Sequence, residues 1–166
     1  MFLLDVAKTI QGIKFKLIGY YANKAIEKEI KDVLIKCRLT NVMISGYKEG
    51  KRLHKIIRNS FFVIVPSLWY ENQPYSITES LTLGKVVVAS KIGGIPELVE
   101  DGINGLLFRP GDVDECRKKI LTLWNNPKLI SSMEHNTQTS KAIYNPENYY
   151  RRLMLIYKKA LLGKRA

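Results

Sequence analysis

Two glutamates flank the start of a predicted helix in the run WYENQPYSITES, residues 69–80. Glu71 lies in the loop before this helix, and Glu79 lies one turn inside it. The positive end of a helix dipole attracts phosphate groups, so a carboxylate beside it is unfavourable unless the carboxylate has another task. Accepting hydrogen bonds from paired sugar hydroxyls is such a task. The spacing therefore predicts a site that holds sugar and phosphate groups together.

The backbone between the two glutamates predicts the phosphate-binding part of this site. Asn72 or Gln73 is the expected N-cap, and Pro74 occupies the first turn, where its missing N–H costs nothing. The helix then presents three free amides, those of Tyr75, Ser76 and Ile77. Free amides and the helix dipole together form an anion site suited to a phosphate.

A purely structural interpretation of the two carboxylates is also available. Ser76 and Glu79 have the spacing of a capping box, in which the Glu79 side chain folds back onto the backbone at the helix start. Glu71 is then an exposed loop acid. Isolated short motifs of this kind are often accidental, so the glutamates alone leave both interpretations open.

Continuous apolar runs alternate with amphipathic helices along the chain. The runs interpreted as strands are FKLIG (15–19), VMIS (42–45), FFVIV (61–65) and VVVAS (86–90). Helices are predicted at about 2–11, 24–38, 50–59, 74–83, 95–100 and 110–125, with two more opened by Pro127 and Pro146. The run DGINGLLF is interpreted as a turn. This order predicts an α/β fold, a Rossmann-like doubly wound parallel sheet with C-terminal helices, whose ligands bind after Val65 and Ser90.

Composition excludes several classes of protein. With 166 residues, the chain fits one domain (1–166), in which 140–166 forms a closing helical tail. Cys37 and Cys116 have no second cysteine or histidine at metal-ligand spacing, so no metal site is expected. The longest apolar run, 61–65, is far too short to span a membrane, and MFLL is too short for a signal peptide. A cytoplasmic protein is expected.

Several motifs occur in order over residues 66–112. After Glu71 and Glu79 come a glycine-led strand (84–89), Gly-Gly-Ile-Pro-Glu (93–97), Asp-Gly-Ile-Asn-Gly (101–105) and Pro-Gly-Asp (110–112). Together they resemble the nucleotide-sugar-binding half of retaining glycosyltransferases of the GT-B fold, the family-4 group. Motifs in register over about 45 residues are far more specific than any one of them. The resemblance covers nearly all of the chain.

The resemblance implies roles for individual residues. Glu79 holds the ribose hydroxyls, and Glu71, the expected catalytic residue, holds the hydroxyls of the donor sugar. Donor contacts are further implied for the loop and helix start, namely Asn72, Pro74 and the amides of Tyr75 and Ser76, which take the diphosphate. Gly93 and Gly94 allow a tight turn nearby, and Gly46 and Tyr47 lie beside the base. No cofactor or metal is implied, and the donor substrate is a nucleoside-diphosphate sugar.

The resemblance also implies a strand ahead of FKLIG that ends in Gly-Arg-Leu and is followed by Lys-Gly, preceded by an acceptor-binding domain. Residues 1–12 supply neither motif, and Lys8 is a poor substitute. We therefore expect FKLIG and FFVIV each to have an unpaired edge. An acceptor domain or a partner chain is expected to supply the strand, and this chain alone is expected to bind weakly and to transfer little sugar.

Three further interpretations concern partners. A non-catalytic sugar-nucleotide-binding module, or a split-gene remnant that needs a partner chain, is the main alternative function. The net charge of +12 prompts a nucleic-acid-binding interpretation, but the basic residues are spread over several helices without a recognised motif, so no nucleic acid is expected. The last helix carries an apolar stripe beside basic residues, which predicts peripheral contact with an anionic membrane. The stripe comprises Leu153, Ile156, Tyr157 and Ala160, and the basic residues are Arg151, Arg152, Lys158 and Lys159.

Overall fold

The computed structural model of the protein describes residues 1–140 and 146–163. Residues 141–145 and 164–166, part of the predicted closing tail, lie outside the described residues. The strands are β1 (Phe15–Ile18), β2 (Val42–Ser45), β3 (Val63–Val65), β4 (Val87–Ser90) and β5 (Gly105–Phe108). The helices are α1 (Phe2–Thr9), α2 (Lys24–Lys36), α3 (Gly50–Arg58), α4 (Tyr75–Thr82), α5 (Ile95–Leu98), α6 (Val113–Trp124), α7 (Pro127–Ser140) and α8 (Pro146–Gly163).

All strand pairs are parallel, which confirms the predicted α/β class. β1 pairs with β2, with Phe15 opposite Val42, and β4 lies between β3 and β5, with Val87 opposite both Val63 and Gly105. Parallel neighbours need crossover connections, and the helices between successive strands provide them. The carboxyl ends of the paired strands consequently share one edge, where ligands bind in folds of this type.

The strands form two separate sheets. One has the order β1-β2 and the other β3-β4-β5, and in the described part of the chain no strand pairing joins them. β1 and β3 therefore each have one edge without a hydrogen-bonded neighbour, as the resemblance led us to expect. Backbone N–H and C=O groups on such an edge can pair with another extended segment.

A shared hydrophobic core holds the two sheets together. Alternate residues of β4 point to opposite faces: Val88 belongs to a cluster with α1, α6 and Phe15 of β1, whereas Val87 and Ala89 belong to a cluster with α4 and α5. Helices thus cover both faces of β4, which makes the fold doubly wound. β4 and β5 are buried along their whole length because both faces are covered.

Several predicted boundaries differ from the structure, among them those of β5, β3 and α1. The last four residues of DGINGLLF form β5 rather than a turn, and the Asp101 carboxylate accepts a hydrogen bond from the amide of Leu107 in this strand (2.8 Å). β3 begins at Val63 because Phe61 instead packs edge-on against Trp124, with ring centroids 5.1 Å apart. α1 ends at Thr9 rather than at about residue 11, with Ile10 at its C-cap.

The last helix, α8, is largely exposed. Ile156 and Tyr157 of its predicted apolar stripe are 62% and 54% exposed, so the described residues leave much of this stripe uncovered. None of the helices in the described ranges combines the length and the apolar character needed to cross a membrane.

Candidate functional site

The helix α4 follows β3 through the loop 66–74, at the carboxyl edge of the three-stranded sheet. Its N-cap is Pro74 itself, with φ −67° and ψ 116°, so the prediction of Asn72 or Gln73 as the cap was wrong. The Ile77 amide donates to the Pro74 carbonyl (3.0 Å). Of the three amides expected to be free, only those of Tyr75 and Ser76 have no acceptor in the described residues. The predicted anion site therefore has two donors rather than three.

The Glu71 side chain is held by a residue of the same loop. Ser67, buried just after β3, donates its Oγ–H to Oε1 of Glu71 at 3.0 Å. The half-buried carboxylate keeps its second oxygen outside this bond. Because a carboxylate accepts several hydrogen bonds at once, the contact with Ser67 fixes its orientation and leaves acceptor capacity for a ligand.

Gly93 and Gly94 contact the backbone of the Glu71 loop. The Gly94 amide donates to the Glu71 carbonyl (2.8 Å), and a Cβ at Gly94 would overlap the Asn72 carbonyl. A Cβ at Gly93 would lie 2.8 Å from the Glu71 amide nitrogen, and its φ of +57° also favours glycine. These glycines therefore allow the loop after β4 to support the loop that carries Glu71.

Glu79 takes part in a side-chain hydrogen bond across two helices. Its Oε1 lies 2.7 Å from Nε2 of His54 on α3, and the two side chains are 31% and 36% exposed. The capping-box alternative is wrong, because no side chain caps α4 and Glu79 bonds to His54 instead. Sequence reasoning missed His54, since no local signal relates residues 25 positions apart on different helices.

Two tyrosines stack at the carboxyl ends of β1 and β2. The rings of Tyr20 and Tyr47 lie 4.6 Å apart and within 8° of parallel, and both are exposed. The Tyr47 hydroxyl donates to Glu49 (3.1 Å), and this hydrogen bond raises the pKa of Tyr47. Gly46, which precedes it, is exposed. Tyr20 was missed, although a Gly-Tyr pair after each of two neighbouring strands, at 19–20 and 46–47, was a usable signal.

The remaining candidate residues have structural explanations. Lys8 pairs with Asp5 on the same helix at 2.7 Å, and this hydrogen bond raises the pKa of Lys8. Three basic residues of α3 are exposed, namely Lys51, Lys55 and Arg58. Burial raises the pKa of the Cys116 thiol to about 12, and Cys37 is an exposed free thiol. Within the ranges described, no group of three or more His, Cys, Asp or Glu side chains is placed to hold a metal ion.

A separate surface depression lies beside the start of α6. Its charged lining consists of Arg109, Asp112, Asp114, Glu115, Lys118 and Lys119. Arg109 bonds to Glu115 (2.8 Å) and Asp112 (2.6 Å), and its hydrogen bond lowers the pKa of Glu115. Asp112 also caps α6 by accepting from the Glu115 amide. Arg109, Asp112 and Glu115 are thus paired with one another, and the depression follows the edge strand β5, so we place the candidate site at α4 instead.

Comparison with known proteins gives consistent matches. The family described as glycosyl transferases group 1 matches residues 2–140. An uncharacterised glycosyltransferase of Methanocaldococcus jannaschii is 32% identical over 134 residues, which are 81% of this chain and 37% of that protein. The structure of HepE from Anabaena in complex with UDP-glucose superposes with a TM-score of 0.78 at 26% identity. That match covers 85% of this chain and 39% of HepE. The chain thus spans about two fifths of the length of these relatives.

Proposed function

The chain belongs to the glycosyl transferases group 1 family, and from this premise we propose that it is the donor-binding part of a glycosyltransferase. The donor is a nucleoside-diphosphate sugar, and the sugar passes to an acceptor with retention of its anomeric configuration, in the synthesis of a polysaccharide or glycolipid. Residues 1–166 form the donor-binding domain and 140–166 its closing tail. The observation that carries the proposal is the pair of oriented carboxylates on either side of the unpaired amides of α4.

Each part of the donor has a proposed partner. Tyr75 and Ser76 donate their amides to the diphosphate, with Asn72 and Pro74 shaping the loop before them. Glu79 accepts hydrogen bonds from the ribose hydroxyls, and the base lies against Gly46 and Tyr47. Support for this division comes from the family membership and from HepE, a relative whose structure holds UDP-glucose.

Glu71 is the proposed catalytic residue, because it holds the hydroxyls of the transferred sugar. During transfer the bond between the anomeric carbon and the β-phosphate oxygen breaks, and its electron pair leaves with the nucleoside diphosphate. The acceptor oxygen bonds to the same face of the anomeric carbon and gives its proton to the departing diphosphate oxygen. The amides of Tyr75 and Ser76 stabilise the charge that develops on the diphosphate. Gly93 and Gly94 keep the Glu71 loop in place.

Calorimetry with UDP, GDP and ADP, each with and without an attached glucose, tests the proposal. We expect at least one nucleotide to bind, Glu79→Ala to weaken that binding strongly, and Glu71→Ala to retain it while losing the contribution of the sugar. Gln73→Ala, in the same exposed loop, serves as the control. Binding that is indifferent to both glutamate substitutions would contradict the proposal.

A strand-donating partner is also proposed. The unpaired edges of β1 and β3 support pairing with an extended segment, from an acceptor-binding domain or from a partner chain. Full transfer activity is expected only with that partner. A non-catalytic sugar-nucleotide-binding module that pairs with a partner chain is the second candidate function, because the same unpaired edges would hold that partner. Transfer of labelled sugar by the assembled protein separates the two, since the module would bind the donor without releasing nucleoside diphosphate.

The exposed helix α8 supports peripheral membrane contact. Ile156 and Tyr157 are exposed beside the basic pair Lys158–Lys159, an arrangement that suits an anionic bilayer surface. The chain is expected to cosediment with vesicles of phosphatidylcholine and phosphatidylglycerol. It is not expected to cosediment with vesicles of phosphatidylcholine alone. Changing both lysines to glutamate is expected to abolish cosedimentation, whereas Lys51→Glu with Lys55→Glu on α3 is expected to retain it. Equal loss in both variants would contradict a role for α8.

The proposed location is the cytoplasm, at the periphery of the membrane, which agrees with the two free thiols. Nucleic acid is not proposed as a partner. Retention on heparin at moderate salt without any response to nucleotides would favour nucleic-acid binding instead.

A further inference from the structure

The bond between His54 and Glu79 crosses the boundary between the two sheets. His54 lies on α3, which follows β2, and Glu79 lies on α4, which follows β3. No strand pairing connects these two sheets in the described residues. A side-chain bond of 2.7 Å thus connects the helices that follow them.

The geometry points to His54 as the positioning residue of Glu79, a role that rests on the proposed function. We propose that its Nε2–H donates to Oε1 of Glu79 and turns Oε2 toward the two vicinal hydroxyls of the nucleotide ribose. His54 itself touches no substrate. The pair therefore selects ribonucleotides over nucleotides that lack these hydroxyls.

The chemistry of a carboxylate explains why one partner helps the second contact. A free glutamate side chain rotates among several rotamers, and a ligand that needs one of them must offset the lost freedom. A hydrogen bond from His54 restricts the Glu79 side chain before the ligand arrives. Binding then costs less conformational entropy, so the affinity is higher. Both side chains are about one third exposed, so the pair is accessible to a ligand and partly shielded from water.

The surroundings of the pair agree with a ribose beside it. Tyr47, the residue proposed to contact the base, follows β2 and precedes the helix that carries His54. The exposed stack of Tyr47 on Tyr20 offers a flat surface to a base. A ribose joins the base to the diphosphate, and Glu79 lies on the same helix as the amides proposed for the diphosphate.

Calorimetry with two forms of one nucleotide tests the positioning role. UDP, GDP and ADP are compared with their 2′,3′-dideoxy forms, using the base that binds most tightly. His54→Ala is expected to weaken binding of the ribonucleotide about tenfold, the size of one charge-assisted hydrogen bond at a partly exposed site, and to leave the dideoxy form unchanged. His54→Gln, which keeps an N–H donor at similar reach, is expected to restore most of the difference.

Two controls separate positioning from general damage. His135→Ala removes the other histidine, exposed on α7, and is expected to leave both affinities unchanged. The double variant His54→Ala with Glu79→Ala is expected to bind no more weakly than Glu79→Ala alone. Equal weakening of the ribonucleotide and the dideoxy form, or no weakening, would overturn the positioning role.

A measurement on the unbound protein tests the bond itself. Nitrogen NMR is expected to show a hydrogen-bonded Nε2–H of His54 that disappears in Glu79→Ala, and its absence in the wild type would overturn the inference. If no nucleotide binds the wild type, the proposed function fails and the positioning role fails with it. That outcome differs from normal nucleotide binding that ignores His54, which overturns the positioning role alone.

Discussion

The two sheets of this protein differ sharply in how they are packed. The three-stranded half, comprising β3 to β5 with α4 to α7, has two strands buried along their whole length. The two-stranded half, comprising β1 and β2 with α2 and α3, has no fully buried residue in α2 and only Ile57 in α3. The candidate site uses both: Glu71 and Glu79 belong to the first half, His54 and Tyr47 to the second. Stability is therefore concentrated on one side of a site that needs both sides.

The largest expected effect tests the packing difference directly. Phe108 of β5 is 1% exposed and stacks on Phe2, with ring centroids 5.8 Å apart. Phe108→Ala is expected to lower the free energy of unfolding by about 3–5 kcal/mol, because it leaves a cavity in the core. Leu17→Ala in half-buried β1 is expected to cost about 1 kcal/mol. Urea denaturation measures both, and equal losses would contradict the comparison.

The next effect separates a supporting glycine from a ligand-facing one. Gly94→Ala places a methyl group against the Asn72 carbonyl, so it is expected to lower the free energy of unfolding by about 1–3 kcal/mol and to disturb the Glu71 loop. Gly46 has no neighbour within 4 Å of an added Cβ. Gly46→Ala is therefore expected to preserve stability and to weaken only nucleotide binding. Thermal unfolding with calorimetry distinguishes the two, and an unaffected Gly94→Ala protein would count against the supporting contact.

A smaller effect concerns the attachment of the two-stranded half. Asn41 Nδ2 donates to the carbonyls of Ile10 (2.8 Å) and Ala7 (3.2 Å), which ties the start of β2 to α1. Asn41→Ala is expected to cost about 1–2 kcal/mol, since two partly buried carbonyls lose a donor. Hydrogen exchange is expected to accelerate in β1 and β2 and to stay unchanged in β4. Uniform acceleration throughout the chain would show that the halves do not differ in this way.

The smallest effect compares one ion pair from each half. Lys85–Glu134 (2.6 Å) joins the segment between α4 and β4 to α7, with the lysine side chain 17% exposed. Lys85→Ala is expected to cost about 1 kcal/mol, at the upper end for such pairs, because the pair is partly shielded. Lys31–Glu27 on α2 has a lysine 59% exposed, and Lys31→Ala is expected to leave the midpoint of urea unfolding unchanged. A larger loss of unfolding free energy for Lys31→Ala than for Lys85→Ala would contradict the expected order of the two ion pairs.

Much of the fold was predictable because the signals are local. Apolar runs and helical spacing placed each helix and most strands within a few residues, and Asp112 of the Pro-Gly-Asp motif caps α6. β5 was mistaken for a turn because Gly102 and Gly105 give the segment the composition of one. Gly105 is required for a different reason, since a Cβ there would lie 2.7 Å from Val99. Glycine alone does not distinguish a turn from close packing.

The features of the candidate site also fall into two groups, those that the local sequence predicts and those that it does not. The order of the motifs, the position of Glu71 and Glu79 around α4 and the alternation that makes a parallel sheet all follow from the sequence, because each depends on residues close together in the chain. The contact of Gly94 with the Glu71 loop, the stacking of Tyr20 on Tyr47 and the bond from His54 to Glu79 were decided only by the tertiary structure. Each joins segments that meet only when the elements pack, and packing depends on the summed burial of many side chains rather than on any local pattern.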